Sequence, residues 1–160
     1  MDHEPDRREI ADLLVRYCVY LDRMELDALA GLFTPECRVE YGPDQRLQSA
    51  GACALAASLQ RMWRWARTSH HLSNIVVEFD AAAAARATSY VLAWHQRPDG
   101  STATVYGQYR DRLVRRDGRW LIDERRMLMN GCDAGFKLDL YPAERRPPPD
   151  GWIAPDLDRR

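Results

Sequence analysis

Thr68-Ser69-His70-His71-Leu72-Ser73-Asn74-Ile75-Val76-Val77-Glu78-Phe79 is the stretch from which the fold is read. Its second half is β-branched and aromatic, so it reads as a strand. Alternation along a strand sends neighbouring side chains to opposite faces. His70, Leu72, Asn74 and Val76 then share one face, and His71, Ser73, Ile75 and Val77 share the other. If one face lines a pocket, one histidine is in it and its neighbour is outside.

Three more strands follow it. The spacing predicts them over 86–96, 101–115 and 120–129, with turns at Pro98-Asp99-Gly100 and at Asp117-Gly118. Val105, Gly107, Tyr109, Asp111 and Leu113 fall on one face of the third. In the last strand Asp123, Arg125, Met127 and Met129 fall opposite Ile122, Glu124, Arg126 and Leu128. Asp111 on an apolar face is either paired with an arginine such as Arg125 or a second acid of the pocket. Arg125 and Arg126 together read as a solvated or interface pair.

Before the long strands the pattern is helical. Ile10, Leu13, Leu14, Tyr17 and Leu21 give one apolar face to a helix over 7–21. Val15, Cys18, Val19 and Tyr20 widen it, which predicts burial nearly all round from Tyr17 onward. A short helix over 25–33 is expected to stop at Thr34-Pro35, since proline cannot continue it. A strand over 37–42 and a helix over 49–67 follow. The order α-α-β-α-β-β-β-β, with the later strands joined by hairpins, predicts an α+β fold. A mostly antiparallel sheet would then wrap against the helices.

The 160 residues suit one domain over 1–135, with a proline-rich arm over 136–160 that could fold over the pocket mouth. Hydrophobic residues make up 46% and the net charge is −1, so neither nucleic acid nor an anionic membrane is expected as a partner. No apolar run is long enough to span a bilayer, and the charged N-terminus lacks a signal-peptide core. Cys18, Cys37, Cys53 and Cys132 form no Cys-x-x-Cys pair, which argues against zinc or a redox dithiol. They read as reduced core residues of a cytoplasmic protein.

Six short strings, in order, resemble the SnoaL-like branch of the NTF2-like superfamily. They are Tyr20-Leu21-Asp22-Arg23-Met24-Glu25-Leu26-Asp27-Ala28-Leu29, Thr34-Pro35, Arg38-Val39-Glu40-Tyr41, Thr68-Ser69-His70, Trp94-His95-Gln96 and Asp117-Gly118-Arg119-Trp120. In polar residues the chain is most similar to the scytalone dehydratases. The resemblance spans about residues 7–130. It implies a cone-shaped α+β domain with an internal pocket, and loss of water from a β-hydroxy carbonyl compound without metal or cofactor. It carries the helix-end aspartate onto Asp22, the strand tyrosine onto Tyr41, and the two histidines onto His70 and His95.

The chain departs from the family at Leu21, where the family has tyrosine, so Tyr20 or Tyr17 would act in its place. Gly107 and Tyr109 stand where the family has serine and asparagine. The resemblance also implies a homodimer or homotrimer built through the open sheet face.

The residue chemistry points the same way. A histidine serves as base or acid near neutrality, and a carboxylate on its other nitrogen fixes its tautomer. His70 backed by Asp22 could take the α-proton and return it to the leaving hydroxyl, with Tyr41 donating to the enolate oxygen. Trp63, Trp94, Val39 and Leu72, with Tyr17, Tyr20, Asn74 and Tyr109, would suit an apolar ring substrate. Trp63 and Trp65 cannot both face the core.

Plainer readings stay open. Asp22 could be only a helix cap, His70 a sheet histidine and Tyr41 a core tyrosine. His95 could sit on the sheet surface, Asn74 could be only a sheet hydrogen-bonder, and His71 is expected to point outward. A polyketide-type cyclase, a double-bond isomerase and a non-catalytic binding module are the rival functions. An epoxide hydrolase and the small subunit of a ring-hydroxylating dioxygenase stand behind them.

Overall fold

The computed structural model describes residues 3–135, 140–144 and 149–151. The chain opens with α1 (Glu4–Asp22), whose first turn holds Pro5 together with Glu4 and Asp6. Proline is tolerated there, and acidic side chains suit the positive end of the helix dipole. Ile10, Leu13, Leu14, Tyr17, Cys18 and Leu21 form its buried face. Val15 and Val19 are 45% and 37% exposed, so the helix end is not buried all round.

The helix stops in a Schellman arrangement. The Glu25 N–H reaches the Tyr20 carbonyl at 2.9 Å, the Met24 N–H reaches Leu21 at 3.1 Å, and Met24 takes a φ of 56°. This turn leaves Asp22 as the last helical residue. The short α2 (Leu26–Ala30) has Glu25 at its N-cap, so Asp22 does not cap it.

β1 (Phe33–Glu40) begins earlier than expected, and Thr34-Pro35 lies inside it rather than ending a helix. Pro35 is accommodated because pairing with the neighbouring strand lapses between Phe33 and Arg38. A single turn of 3₁₀ helix (Gln45–Leu47) leads to β2 (Gln48–Ala50), a strand the alanine-rich pattern concealed. The expected helix over 49–67 is instead α3 (Ala52–Leu59) followed by a 3₁₀ segment (Gln60–Arg64).

β3 (Arg67–Ala81), β4 (Ala84–Gln96), β5 (Thr102–Arg116) and β6 (Arg119–Ala134) pair antiparallel in sequence. The sheet order is β2-β1-β6-β5-β4-β3, with β1 parallel to β6. Asp117 and Gly118, both at positive φ, make the two-residue hairpin between β5 and β6. The result is the curved, unclosed sheet packed against N-terminal helices that defines the NTF2-like cone.

Two bulges alter the face assignments. In β3 the register shifts between Ser73 and Val76, with Asn74 at a φ of 49°. Beyond it Val77 is buried while Val76 is 58% exposed, the reverse of strict alternation. In β6 the shift opposite Arg112 and Leu113 turns both Ile122 and Arg125 inward. Arg125 is therefore not part of a solvated pair.

Residues 136–139, 145–148 and 152–160 of the expected arm lie outside the described residues. Part of the remainder folds back. Met129 and Tyr141–Ala143 exchange backbone hydrogen bonds of 2.6 and 2.7 Å, and Leu140 reaches the cavity. All four cysteines are free; Cys18 and Cys37 are buried, whereas Cys53 and Cys132 are exposed and are not core.

Candidate active site

A cavity of about 750 Å³ lies between the sheet, the end of α1 and the α3 region. His70 on β3 and His95 on β4 both line it. The ladder pairs His70 with Ala93, which places His95 diagonally beside it on the same face. Their rings meet edge to face, with centroids 5.3 Å apart.

Asp22 stands behind His70. Its Oδ1 accepts from His70 Nδ1 at 2.6 Å and from Thr68 Oγ1 at 2.7 Å, and its Oδ2 accepts from the His70 backbone N–H at 2.8 Å. Burial works against this carboxylate. The hydrogen bonds from the His70 ring and amide, the His70 charge and Thr68 outweigh it and hold the Asp22 pKa below the ordinary carboxylate value. The Nδ1 contact leaves Nε2 of an imidazole only 4% exposed to serve the cavity. His71, next in the chain, points out and bonds Ser69 Oγ at 2.9 Å.

His95 lies in the cavity wall. Burial, helped by the nearby His70 charge, pushes its pKa down to about 4. It is therefore a neutral imidazole at physiological pH, in contact with the ring of Trp65 at 4.9 Å.

A second polar centre faces this pair. Tyr17 on α1 and Tyr41, just past β1, share a hydroxyl–hydroxyl hydrogen bond, and both line the cavity. Burial raises the pKa of both, so they are protonated donors. Beneath them the Arg125 guanidinium lies 4.1 Å from the Tyr17 ring centre and 4.2 Å from that of Tyr109. Asp111 clamps it through two bonds of 2.7 and 2.9 Å. Asp111 is thus the partner of Arg125 and not a second pocket acid.

Other expected residues fall elsewhere. Tyr20 packs against the core without lining the cavity. Asn74 is exposed in the β3 bulge, because the bulge turns it away from the face of His70. Trp94 is on the opposite face of β4 from His95, as alternation requires. Trp63 is 61% exposed, and Trp65 lines the cavity in its place. Val39 is core, and Leu72 packs against it outside the cavity lining.

Sequence reading missed Met127, Leu140, Arg61 and Arg64, all in the cavity wall. The Met127 side chain can reach across Gly107 because that residue has no Cβ, which would sit 2.9 Å from the Met127 methyl carbon. Thr68 was detectable: it lies two residues before His70, on the same face. Among the described residues no group of three or more His, Cys, Asp or Glu side chains is arranged to hold a metal ion. Burial pushes the Cys18 thiol up to about 12 and that of Cys37 to about 11, so neither is a ready nucleophile.

The comparisons with known proteins agree with this architecture. Residues 3–126 match the model of the SnoaL-like domain, and the chain belongs to that family. A scytalone dehydratase-like protein of Novosphingobium aromaticivorans DSM 12444 superposes with a TM-score of 0.82 at 29% identity, covering 89% of this chain and 95% of its own. An aromatic ring hydroxylase-like protein of the same organism gives 0.71 at 23%, covering 77% and 87%. A hexachlorocyclohexane dehydrochlorinase, LinA-type3 of Novosphingobium barchaimii LL02, gives 0.74 at 18%, covering 87% and 96%. These last two share the fold. No curated protein matches the chain in sequence. The family and its neighbours support a small-molecule-converting enzyme in general terms. No helix among the described residues is long and apolar enough to cross a membrane.

Proposed function

We propose that the chain is a cofactor-free dehydratase acting in the cytoplasm on an apolar, cyclic β-hydroxy carbonyl compound. The observation that carries this reading is the 2.6 Å contact between Asp22 and His70 at the wall of the cavity, with the Tyr17–Tyr41 hydroxyl pair also lining it. His70 Nε2 takes the proton from the carbon beside the carbonyl, and Asp22 stabilises the resulting imidazolium. The tyrosine pair donates to the carbonyl oxygen as negative charge develops on it. The β-carbon–oxygen bond then breaks, its electrons leave with the hydroxyl, and the imidazolium returns the proton so that water departs. Neutral His95 orients the ring beside His70, while Trp65 and Tyr109 bound the apolar part of the substrate.

The 29%-identical dehydratase-like neighbour supports elimination over the cyclase and isomerase readings. Product mass tests it. Incubation with cyclic β-hydroxy ketones should give a product lighter by one water; an unchanged mass would move the reading to cyclisation or isomerisation. The reading includes a homodimer or trimer formed over the outer sheet face, where Val76, Tyr90, Leu92 and Tyr106 are exposed. Light scattering in solution checks that part.

A further inference from the structure

The mouth of the cavity carries positive charge that elimination at His70 does not use. A 3₁₀ helix has three residues per turn, so Arg61 and Arg64 of the Gln60–Arg64 segment stack on one side. Both line the cavity that holds His70. Arg46 does too, but Asp44 neutralises it through bonds of 3.0, 3.1 and 2.5 Å. Arg61 spends one nitrogen on Ser58, at 2.7 Å to its carbonyl, and its guanidinium lies 5.3 Å from the Tyr41 ring centre. Arg64 lies 5.1 Å from the Trp65 ring centre. Among the described residues neither meets a carboxylate at ion-pair distance.

We propose that the substrate carries an anionic group, a carboxylate at its simplest, which Arg61 and Arg64 hold at the cavity mouth while the ring body reaches His70. The inference rests on the dehydratase reading and names the class of its substrate. A continuous surface joins the two ends: Arg64 stacks on Trp65, Trp65 contacts His95, and His95 contacts His70. A molecule lying along it is anchored by charge at one end and presented to the base at the other. Burial and the like charges of Arg61 and Arg97 depress the Arg64 pKa, a crowding that a bound anion relieves. Guanidinium also matches carboxylate oxygens in plane, which fixes orientation as well as affinity.

The test uses matched probes and the intact chain. Calorimetric titration compares 2-naphthoate with its neutral amide, 2-naphthamide. The carboxylate should bind about 10- to 100-fold tighter, the range of a charge-assisted hydrogen bond. The Arg61→Gln/Arg64→Gln double variant should bring the two affinities together with naphthamide unaffected, and the Arg61→Lys/Arg64→Lys variant should keep the preference.

2-Naphthyl phosphate, run in parallel, tells a phosphoryl from a carboxylate tail; tighter binding that needs the same arginines supports the anion site and changes only its group. Equal affinities in wild type, a preference that survives the Gln variant, or no anion bound at millimolar concentration overturns the proposal. The His70 chemistry is read separately, by loss of water from neutral substrates. A failed anion site therefore leaves the dehydratase reading standing, and the two failures are told apart.

Discussion

At the scale of single residues, the weight falls on three hydrogen bonds to one carboxylate. Asp22→Asn keeps the shape of the side chain but replaces two acceptor oxygens with one acceptor and one donor. The His70 backbone N–H, His70 Nδ1 and Thr68 Oγ1 then compete for a single oxygen. Turnover should fall about 100-fold or more, and His70→Ala should cost up to about 10,000-fold, the span of general acid–base catalysis. Ring ¹⁵N shifts check the cause: wild type should hold one tautomer, protonated at Nδ1, and Asp22→Asn should show a mixture.

His95 allows a separate test through stability. Its folded pKa of about 4 lies below the ordinary 6.5, so between those values the unfolded chain binds a proton that the folded chain does not. Stability is therefore complete above pH 6.5 and declines as pH falls toward 4, by at most roughly 3 kcal/mol. Urea melts across that window should show the slope in wild type and a shallower one in His95→Gln. The Asp22 contribution has the same sign of proton bookkeeping, because the unfolded chain again binds the proton first. Its pKa is lowered on folding, so its share is lost only further into acid, as pH falls from the unfolded carboxylate value through the folded one.

At the scale of elements, local punctuation was legible where a turn is chemically marked. Asp117-Gly118 reads as a two-residue hairpin because both residues must take positive φ, and they do. The β3 bulge was not legible. Asn74 interrupts an otherwise regular strand pattern, and nothing local says that its backbone enters the left-handed region. The bulge explains why Asn74 is not a cavity residue. Asn74→Gly should leave stability and turnover unchanged, whereas Asn74→Val should destabilise by about 1–2 kcal/mol through left-handed strain. Thermal melts of the two variants decide it.

The conversion of the expected long helix into β2, α3 and a 3₁₀ turn has a similar origin. The alanine-rich run supports a helix by propensity. Pairing of Gln48–Ala50 with Arg38–Glu40 draws its start into the sheet instead.

At the scale of the whole molecule, the Asp111–Arg125 pair ties layers together. Arg125 comes from β6 and Asp111 from β5, and the guanidinium sits against Tyr17 of α1 and Tyr109 of β5. Both charged side chains are fully buried. Asp111→Asn should cost about 3–5 kcal/mol by leaving the arginine uncompensated, while Asp111→Leu with Arg125→Met should recover most of that loss. Equilibrium denaturation of the three variants checks the sign.

The periodicities written into the chain were enough to specify helices followed by an antiparallel sheet. The quoted strings carried the family; of Asp22, His70, Tyr41, His95, Tyr17 and Tyr109, all but Asp22 line the cavity, and Asp22 backs His70. The order of elements follows from side-chain spacing along single elements, which is a local property, whereas the site residues were carried over from the resemblance. Trp65 rather than Trp63 in the cavity wall, the burial of Arg125, and the pair Arg61 and Arg64 at the mouth were settled by tertiary structure alone. Each depends on a bulge, a tightened helical turn or a chain crossing. Those shift a side chain to the other face at the cost of one residue, and the energy that selects them lies in contacts between segments far apart in the chain.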